Sequence, residues 1–257
     1  MSFVASNIAV KEVKNSKSST RFSVRLAENS EEIEQCLRLR YRIFAQEMGA
    51  RLSSNDKGLD KDRFDEFCKH LMVFDKDSGK IIATTRLLTS KDAKKSGYFY
   101  SETEFDLELI LNQPGQFMEV GRTCIDAKSR KGAVLAMLWQ GIAEIVIKHK
   151  IDFLIGCASI SLRDGDDYIN SIMHVLRKKH FSSNDHRVRP LVPLRMKKQT
   201  ADESVSVPTL LKGYLRQGAM ICGEPHWDAE FNVADVFVLL SCENISDNYL
   251  RHFFQRV

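Results

Sequence analysis

Polar and apolar residues alternate from Arg21 to Leu26, the period of a half-buried strand. Asn29, with Glu32 three residues on, reads as a helix start. Ile33, Cys36, Leu37, Arg40, Phe44 and Met48 then recur at helical spacing until Gly49 ends the run. Arg51 to Phe67 is charged and aperiodic, so it reads as a loop. His70 to Phe74 and Lys80 to Leu88 predict two strands joined by a turn at 75–79, and 91–104 reads as irregular. Pro114-Gly115 breaks the chain before a strand over Gln116 to Ile125. Lys131 to Lys148 is apolar on nearly every face, which predicts a helix covered on more than one side. A short strand over Asp152 to Cys157 and a helix over Tyr168 to His180 follow. Pro208 reads as the first helical residue of a helix running through Thr209 to Arg216, and Ala229 to Leu240 as a last strand.

The order β-α-β-β-β-α-β-α implies an α/β fold, one mixed sheet with helices on its faces. No linker interrupts 21–250, so the expected organisation is a flexible tail over 1–20 and a single domain over 21–257. Apolar residues make up 43% and charged residues 28%, the balance of an ordinary globular chain that buries a core without staples. The net charge of +4 gives a weak pull on anionic partners and is no nucleic-acid signature. Six cysteines without a CxxC pair predict buried free thiols and a reducing, cytoplasmic compartment. The first nineteen residues hold no apolar signal-peptide core. No run reaches the roughly 18 apolar residues of a membrane span, so expected membrane contact is peripheral.

Candidate chemistry concentrates in Phe117 to Cys124, where Glu119 and Arg122 interrupt an otherwise apolar strand. Burying either charge is costly unless it is paired or working. Strand alternation sets the two on opposite faces, whereas a bulge at Gly121 would bring them to one. Glu119 reads either as a general base with its pKa lifted by an apolar wall or as half of a structural ion pair. Arg86, in Ala83 to Leu88, needs a buried acid or a ligand oxygen. Lys128, Arg130, Lys131 and Gly132 form a basic turn before a helix N-terminus, a candidate anion cradle. The loop Asp60 to Glu66 alternates in sign, as a solvated surface does; alternatively it is a negative pocket for a cationic amine. Its DxDxxD spacing lacks the Gly and final Glu of a calcium loop, and Cys68 with His70 lacks the second half of a zinc site, so no metal is expected. Ser159, Asp164 and His174 lack a nucleophile elbow. Arg177 to Lys198, including Lys178, Lys179 and Arg187, is basic without interleaved aromatics. That suits a solvated loop, an acidic protein or an anionic bilayer better than single-stranded nucleic acid.

These residues carry a resemblance. Leu39 to Ala50, Asp62 to Asp65, Thr85 to Leu88, Glu119 to Cys124, Leu138 to Ile142, Gly156 to Ser159, Leu210 to Arg216 and Gly223 to Pro225 resemble the ornithine-acyl-carrier-protein N-acyltransferases. These are hemolysin-like members of the GNAT superfamily, and the resemblance spans roughly 22–254. Arg40, Phe44, Asp62, Asp65, Arg86, Glu119 and Arg122 also resemble the sparse pattern of acyl-homoserine-lactone synthases. Ala50 stands where those synthases carry a tryptophan, so S-adenosylmethionine chemistry is the second reading and a non-catalytic carrier- or membrane-binding module the third. Of the GNAT phosphate loop only Gly132 and its basic neighbours remain, which agrees with a donor held on a carrier protein and equally with simple sequence drift.

The resemblance implies a GNAT-like fold and N-acyl transfer. A long-chain, 3-hydroxy acyl group would pass from acyl carrier protein to the α-amine of an amino acid, L-ornithine before others, giving a lyso-ornithine lipid at the inner face of the inner membrane. No bound cofactor is implied; the 4'-phosphopantetheine thioester is the co-substrate. Glu119 would be the base, with Gly121, Arg122 and Thr123 supplying backbone donors to the oxyanion. Arg40, Phe44, Asp62, Asp65, Arg86 and Arg122 would bind the acceptor. Lys128, Arg130, Lys131, Gly132, Lys178, Lys179 and Arg187 would meet phosphopantetheine and its carrier. No nucleic-acid partner is implied.

Overall fold

The computed structural model describes residues 21–52, 57–130, 132–196 and 201–244. The tail expected over 1–20, Lys131, Lys197 and Lys198 lie outside them. In chain order the strands are β1 Phe22–Leu26, β2 Lys69–Asp75, β3 Lys80–Thr89, β4 Phe105–Asp106, β5 Phe117–Ile125, β6 Phe153–Ser161, β7 Arg189–Pro190, β8 Met220–Ile221, β9 His226–Asp228 and β10 Val233–Ser241. The helices are α1 Ser30–Tyr41, α2 Ser90–Ser96, α3 Glu108–Leu111, α4 Gly132–His149, α5 Gly165–Lys179 and α6 Thr209–Arg216. The sheet runs β1-β2-β3-β5-β6-β10-β8, with β9 also on β10, while β4 and β7 pair apart from it. Every pairing in the main sheet is antiparallel except β5 with β6. This is the mixed sheet that the element order predicts.

Both faces of the sheet are covered. Along β2, Leu71 and Val73 join the cluster under α4, whereas Met72 joins that under α1. Successive side chains of a strand point to opposite faces, so an apolar run such as β2 is buried on both. Gly141 of α4 lets that helix settle on the sheet: a Cβ there would come 2.7 Å from Val24 and 2.9 Å from Leu71. Asn29 caps α1, its side chain accepting from the Glu32 N–H at 2.9 Å. The helix passes into a π-helical turn, Arg42–Glu47, and Gly49 follows at φ +72.

Four sequence expectations need correction. Residues 91–104 are not irregular: they hold most of α2, capped by Thr89 accepting from the Asp92 N–H, and a 3-10 turn over Tyr100–Thr103. Thr89-x-x-Asp92 is a helix-start signature that the absence of an apolar period concealed. β6 runs on to Ser161, because its far half pairs with β10. Pro208 is the N-cap of α6 and is itself extended, with ψ 140. The last strand starts at Val233, after a turn in which Asn232 takes φ 53.

Candidate active site

The parallel pairing of β5 with β6 is short: Phe117 to Glu119 face Phe153 to Ile155. Beyond Glu119 the two strands part while each keeps its outer antiparallel partner, β3 or β10. At the fork Gly156 passes against Val120; a Cβ there would lie 2.5 Å from the Val120 carbonyl oxygen. The opening continues into a cavity of about 570 Å³ walled by Val120 to Ile125 of β5 and Cys157 to Ser159 of β6. Backbone groups of β5 past Glu119 that no longer ladder with β6 are left to the cleft. Leu135, Leu210 and Tyr214 also line the cavity, as does Gly132 at the start of α4.

A bulge shapes the β5 wall. Thr85 of β3 faces two residues, Arg122 and Thr123, since Thr84 pairs Cys124 and Arg86 pairs Gly121. Arg122 takes φ 51, which a non-glycine residue adopts at a cost. The bulge is thus one residue beyond Gly121, and it brings Glu119 and Arg122 to the same Tyr100 turn. Glu119 accepts from the N–H groups of Tyr100 at 2.8 Å and Ser101 at 2.7 Å, and from the Ser101 hydroxyl at 2.5 Å. The Arg122 guanidinium stacks between the rings of Tyr100 and Phe231, 4.7 and 4.4 Å from their centres. Its Nε is buried without a hydrogen-bond partner. Burial pushes the Glu119 pKa above the ordinary carboxylate value, against the pull of its Ser101 and Tyr100 donors and of Arg86. A carboxylate has about four acceptor positions, so three hydrogen bonds leave one for a substrate proton. Glu119 lines the cavity.

Three further expected acceptor ligands sit elsewhere. Arg40, Asp62 and Asp65 do not line the cavity. Arg40 is wholly buried and bonds Asp60 at 2.7 Å and Asp65 at 2.6 Å. Arg86 bonds Asp62 at 2.6 Å and Asp65 at 3.2 Å, and Arg122 approaches Asp60 and Asp62 at 3.6 Å. Three guanidinium groups thereby meet three carboxylates, leaving no net charge. Burial opposes the Asp65 charge, but Arg40 and Arg86 still hold its pKa well below the usual range. The 60–66 loop is therefore neither a solvated surface nor a free negative pocket: its acids are committed to the arginines that brace β3 and β5. Arg86 does reach the cavity, as does Phe44, which meets Phe231 edge to face at 5.6 Å.

Of the expected carrier ligands, Arg130 and Gly132 line the cavity, while Lys128, Lys178, Lys179 and Arg187 do not. Arg130 also bonds Glu47 at 2.5 Å. Lys178 pairs with Glu203 at 2.8 Å, and Arg187 stacks on Phe181. Lys178, Lys179 and Arg187 are thus not part of the cavity wall. His174 pairs with Glu203 and Ser159 with Asp235, so the two share no triad.

The sequence reading missed Tyr100, Ser101, Glu104, Asp228 and Asp235, all close to the cleft or in it. Asp235 carried the signal that singled out Glu119: a lone acid in an apolar strand, Val233 to Leu240. Glu104, Asp228 and Asp235 each offer an oxygen within 4.8 Å of the others, and all three line the cavity. Burial raises the Glu104 pKa and the neighbouring Asp235 raises it further; burial likewise raises Asp235. All six cysteines are free, and no helix among the described residues is long and apolar enough to cross a membrane.

The acetyltransferase (GNAT) domain family model matches residues 39–140. The L-ornithine N(alpha)-acyltransferase of Brucella abortus (strain 2308) is 35% identical, covering 90% of this chain and 88% of the relative. Its namesake from Agrobacterium fabrum (strain C58 / ATCC 33970) is 34% identical over 89% and 84% of the two chains. That from Rhodobacter capsulatus is 31% identical over 92% and 96%. Among solved structures, FeeM, an N-acyl amino acid synthase from uncultured soil microbes, matches with a TM-score of 0.55 at 12% identity, covering 93% of this chain and all of that one. BjaI, a CoA-dependent acyl-homoserine lactone synthase, matches at 0.54 and 14% identity, over 90% and 87%. At such identities the structural likeness speaks for the fold. Sequence identity above 30% along nearly the whole chain speaks for more: this protein belongs to the L-ornithine N(alpha)-acyltransferase family of GNAT acyltransferases and is itself an acyltransferase.

Proposed function

We propose that the chain moves a long-chain, 3-hydroxylated acyl group from acyl carrier protein to the α-amine of L-ornithine, making a lyso-ornithine lipid. The observation that carries this reading is the cleft between β5 and β6, with a buried carboxylate, Glu119, on its wall. The names of the relatives support ornithine as the acceptor. The apolar lining at Leu135 and Leu210 suits an acyl chain, and Arg130 with the α4 N-terminus at Gly132 suits the phosphodiester of phosphopantetheine.

An amino acid's α-amine is protonated near neutrality and cannot attack in that form. Glu119 takes that proton, directly or through a water, and the freed nitrogen adds to the thioester carbonyl carbon. The carbonyl oxygen becomes an oxyanion, for which the donors are backbone N–H groups of Gly121 to Thr123. As the tetrahedral intermediate collapses, the C–S bond breaks. The nitrogen's second proton ends on the departing sulfur, relayed by Glu119 or a water, so that phosphopantetheine leaves as a thiol. Arg122, stacked between Tyr100 and Phe231 on the cavity wall, is the candidate for the acceptor carboxylate. No resident metal or cofactor takes part in this scheme. Lys178, Lys179 and Arg187 remain candidates for an outer contact with acidic carrier protein or an anionic inner membrane.

Mass spectrometry of lipids from cells expressing the chain tests the reading. The expected result is N-acylornithine with wild type and its loss with Glu119→Gln. Methylthioadenosine release from S-adenosylmethionine, with no acylornithine formed, would overturn it in favour of lactone synthesis.

A further inference from the structure

Glu104 ends the Tyr100–Thr103 turn as its C-cap, and Glu119 holds the N–H groups at the turn's other end. Glu104 is 4% exposed and its Oε2 is buried with no hydrogen-bond partner. Asp235 is equally buried, and the Ser159 hydroxyl donates to it at 2.6 Å. Asp228 completes the group from β9. Burial raises the pKa of Glu104 and Asp235, and a cation arriving among the three acids would hold them ionised. Arg122 acts on Asp235 but also faces Asp60 and Asp62 at 3.6 Å, and His226 acts on Asp228. The Tyr100 hydroxyl and the Cys157 thiol beside Glu104 are neutral donors. The Glu104 Oε2, a buried acceptor without a hydrogen-bond partner, is costly unless a ligand completes it.

We propose that Glu104, Asp228 and Asp235 seat the side-chain ammonium of a diamino-acid acceptor, and so select it over neutral amino acids. The inference rests on the amine-acylation reading and extends it to the other end of the acceptor. Three oxygens around one ammonium at hydrogen-bond distance lie about 4.6 Å apart, which the spacing of this cluster accommodates. Length fits as well. A one-turn 3-10 helix advances about 6–8 Å, and the two nitrogens of an extended amino acid with three methylenes are about 6 Å apart. The α-amine at Glu119 and the terminal ammonium at Glu104 would thus span the Tyr100 turn. This cluster takes the role that the sequence gave to Asp62 and Asp65, whose charges are spent on arginines.

The test compares kcat/KM for L-ornithine and L-norvaline, which has the same carbon chain without the terminal amine. Wild type should prefer ornithine by roughly 100-fold or more, because a site built for a donor rejects the analogue lacking it. Glu104→Gln should cut that preference by about 10-fold or more, mainly through the KM for ornithine. Asp228→Asn, on a half-buried strand residue, should move it in the same direction if Glu104→Gln fails to fold. Equal use of both acceptors by wild type would overturn the inference while leaving amine acylation intact. Acylation of neither would overturn both. Saturable binding of Mg²⁺ or Ca²⁺ alone, lost in Glu104→Gln and required for turnover, would make the cluster a metal site and also overturn it.

Discussion

Glu119→Gln is nearly isosteric, yet the surroundings of Glu119 make it a severe change. The carboxylate accepts three hydrogen bonds: two from the Ser101 N–H and hydroxyl, one from the Tyr100 N–H. Glutamine keeps one oxygen. Placed toward Ser101, it turns its NH₂ group on the Tyr100 N–H, and two buried donors then face each other. Each costs about 1–3 kcal/mol. No longer burying a charge works the other way, since burial already disfavours the Glu119 carboxylate. The expected net loss is about 2 kcal/mol, read by urea denaturation. Turnover, measured as thiol release at a temperature where both proteins stay folded, should fall by about 10²- to 10⁴-fold, the usual worth of a positioned base. Ser101→Ala separates the two effects. It removes one donor to the carboxylate while keeping the base, so it should cost about 1 kcal/mol and retain most of the rate. A Glu119→Gln variant that loses stability but turns over normally would reduce Glu119 to a clamp on the Tyr100 turn. One with unchanged stability would refute the hydrogen-bond argument itself.

Arg40→Ala leaves Asp60 and Asp65 buried without their main cation, and should cost about 3–5 kcal/mol; an unchanged urea midpoint would contradict the neutral-network account. Gly156→Ala should force the fork open or lower stability, because its Cβ would meet the Val120 carbonyl at 2.5 Å; a fully active, equally stable variant would refute the close approach. The raised pKa of Glu119 has two consequences of opposite sign. Its contribution to stability is full below the unfolded value of 4.5 and is lost as pH rises through the folded pKa. Activity needs the ionised form, so kcat/KM should fall on the acid side at a pH above 4.5, and Ser101→Ala should move that limb higher by removing a hydrogen bond to the charge.

Much of the architecture was legible because it follows from local rules. Asn29 with Glu32, the breaker at Pro114-Gly115 and the all-round apolar α4 each announce themselves over a few residues. The mixed sheet then follows from element order. What the chain concealed is long-range. The 60–66 loop looks solvated until α1, β3 and β5 converge on it with Arg40, Arg86 and Arg122, and alternating charge carries no mark of that partner set. Glu119 stood out as a charge inside an apolar strand. Asp235 is the same kind of signal, but Glu104 is not: it closes a polar stretch, and its burial comes from long-range neighbours, Cys157 of β6 and Asp235 of β10 among them. The bulge that turns Arg122 toward Tyr100 was legible as a possibility at Gly121, and its position one residue on came from pairing with Thr85.

The account stands on an amine made nucleophilic by Glu119 beside a thioester. Single-turnover acyl transfer to L-ornithine from acyl carrier protein, followed from pH 6.5 upward (about one unit below the amine's own range) in wild type and Glu119→Gln, addresses that most directly. The variant's deficit should shrink steadily as solution pH deprotonates the amine without help. A deficit that stays constant across the whole range would show that Glu119 does something other than remove the proton.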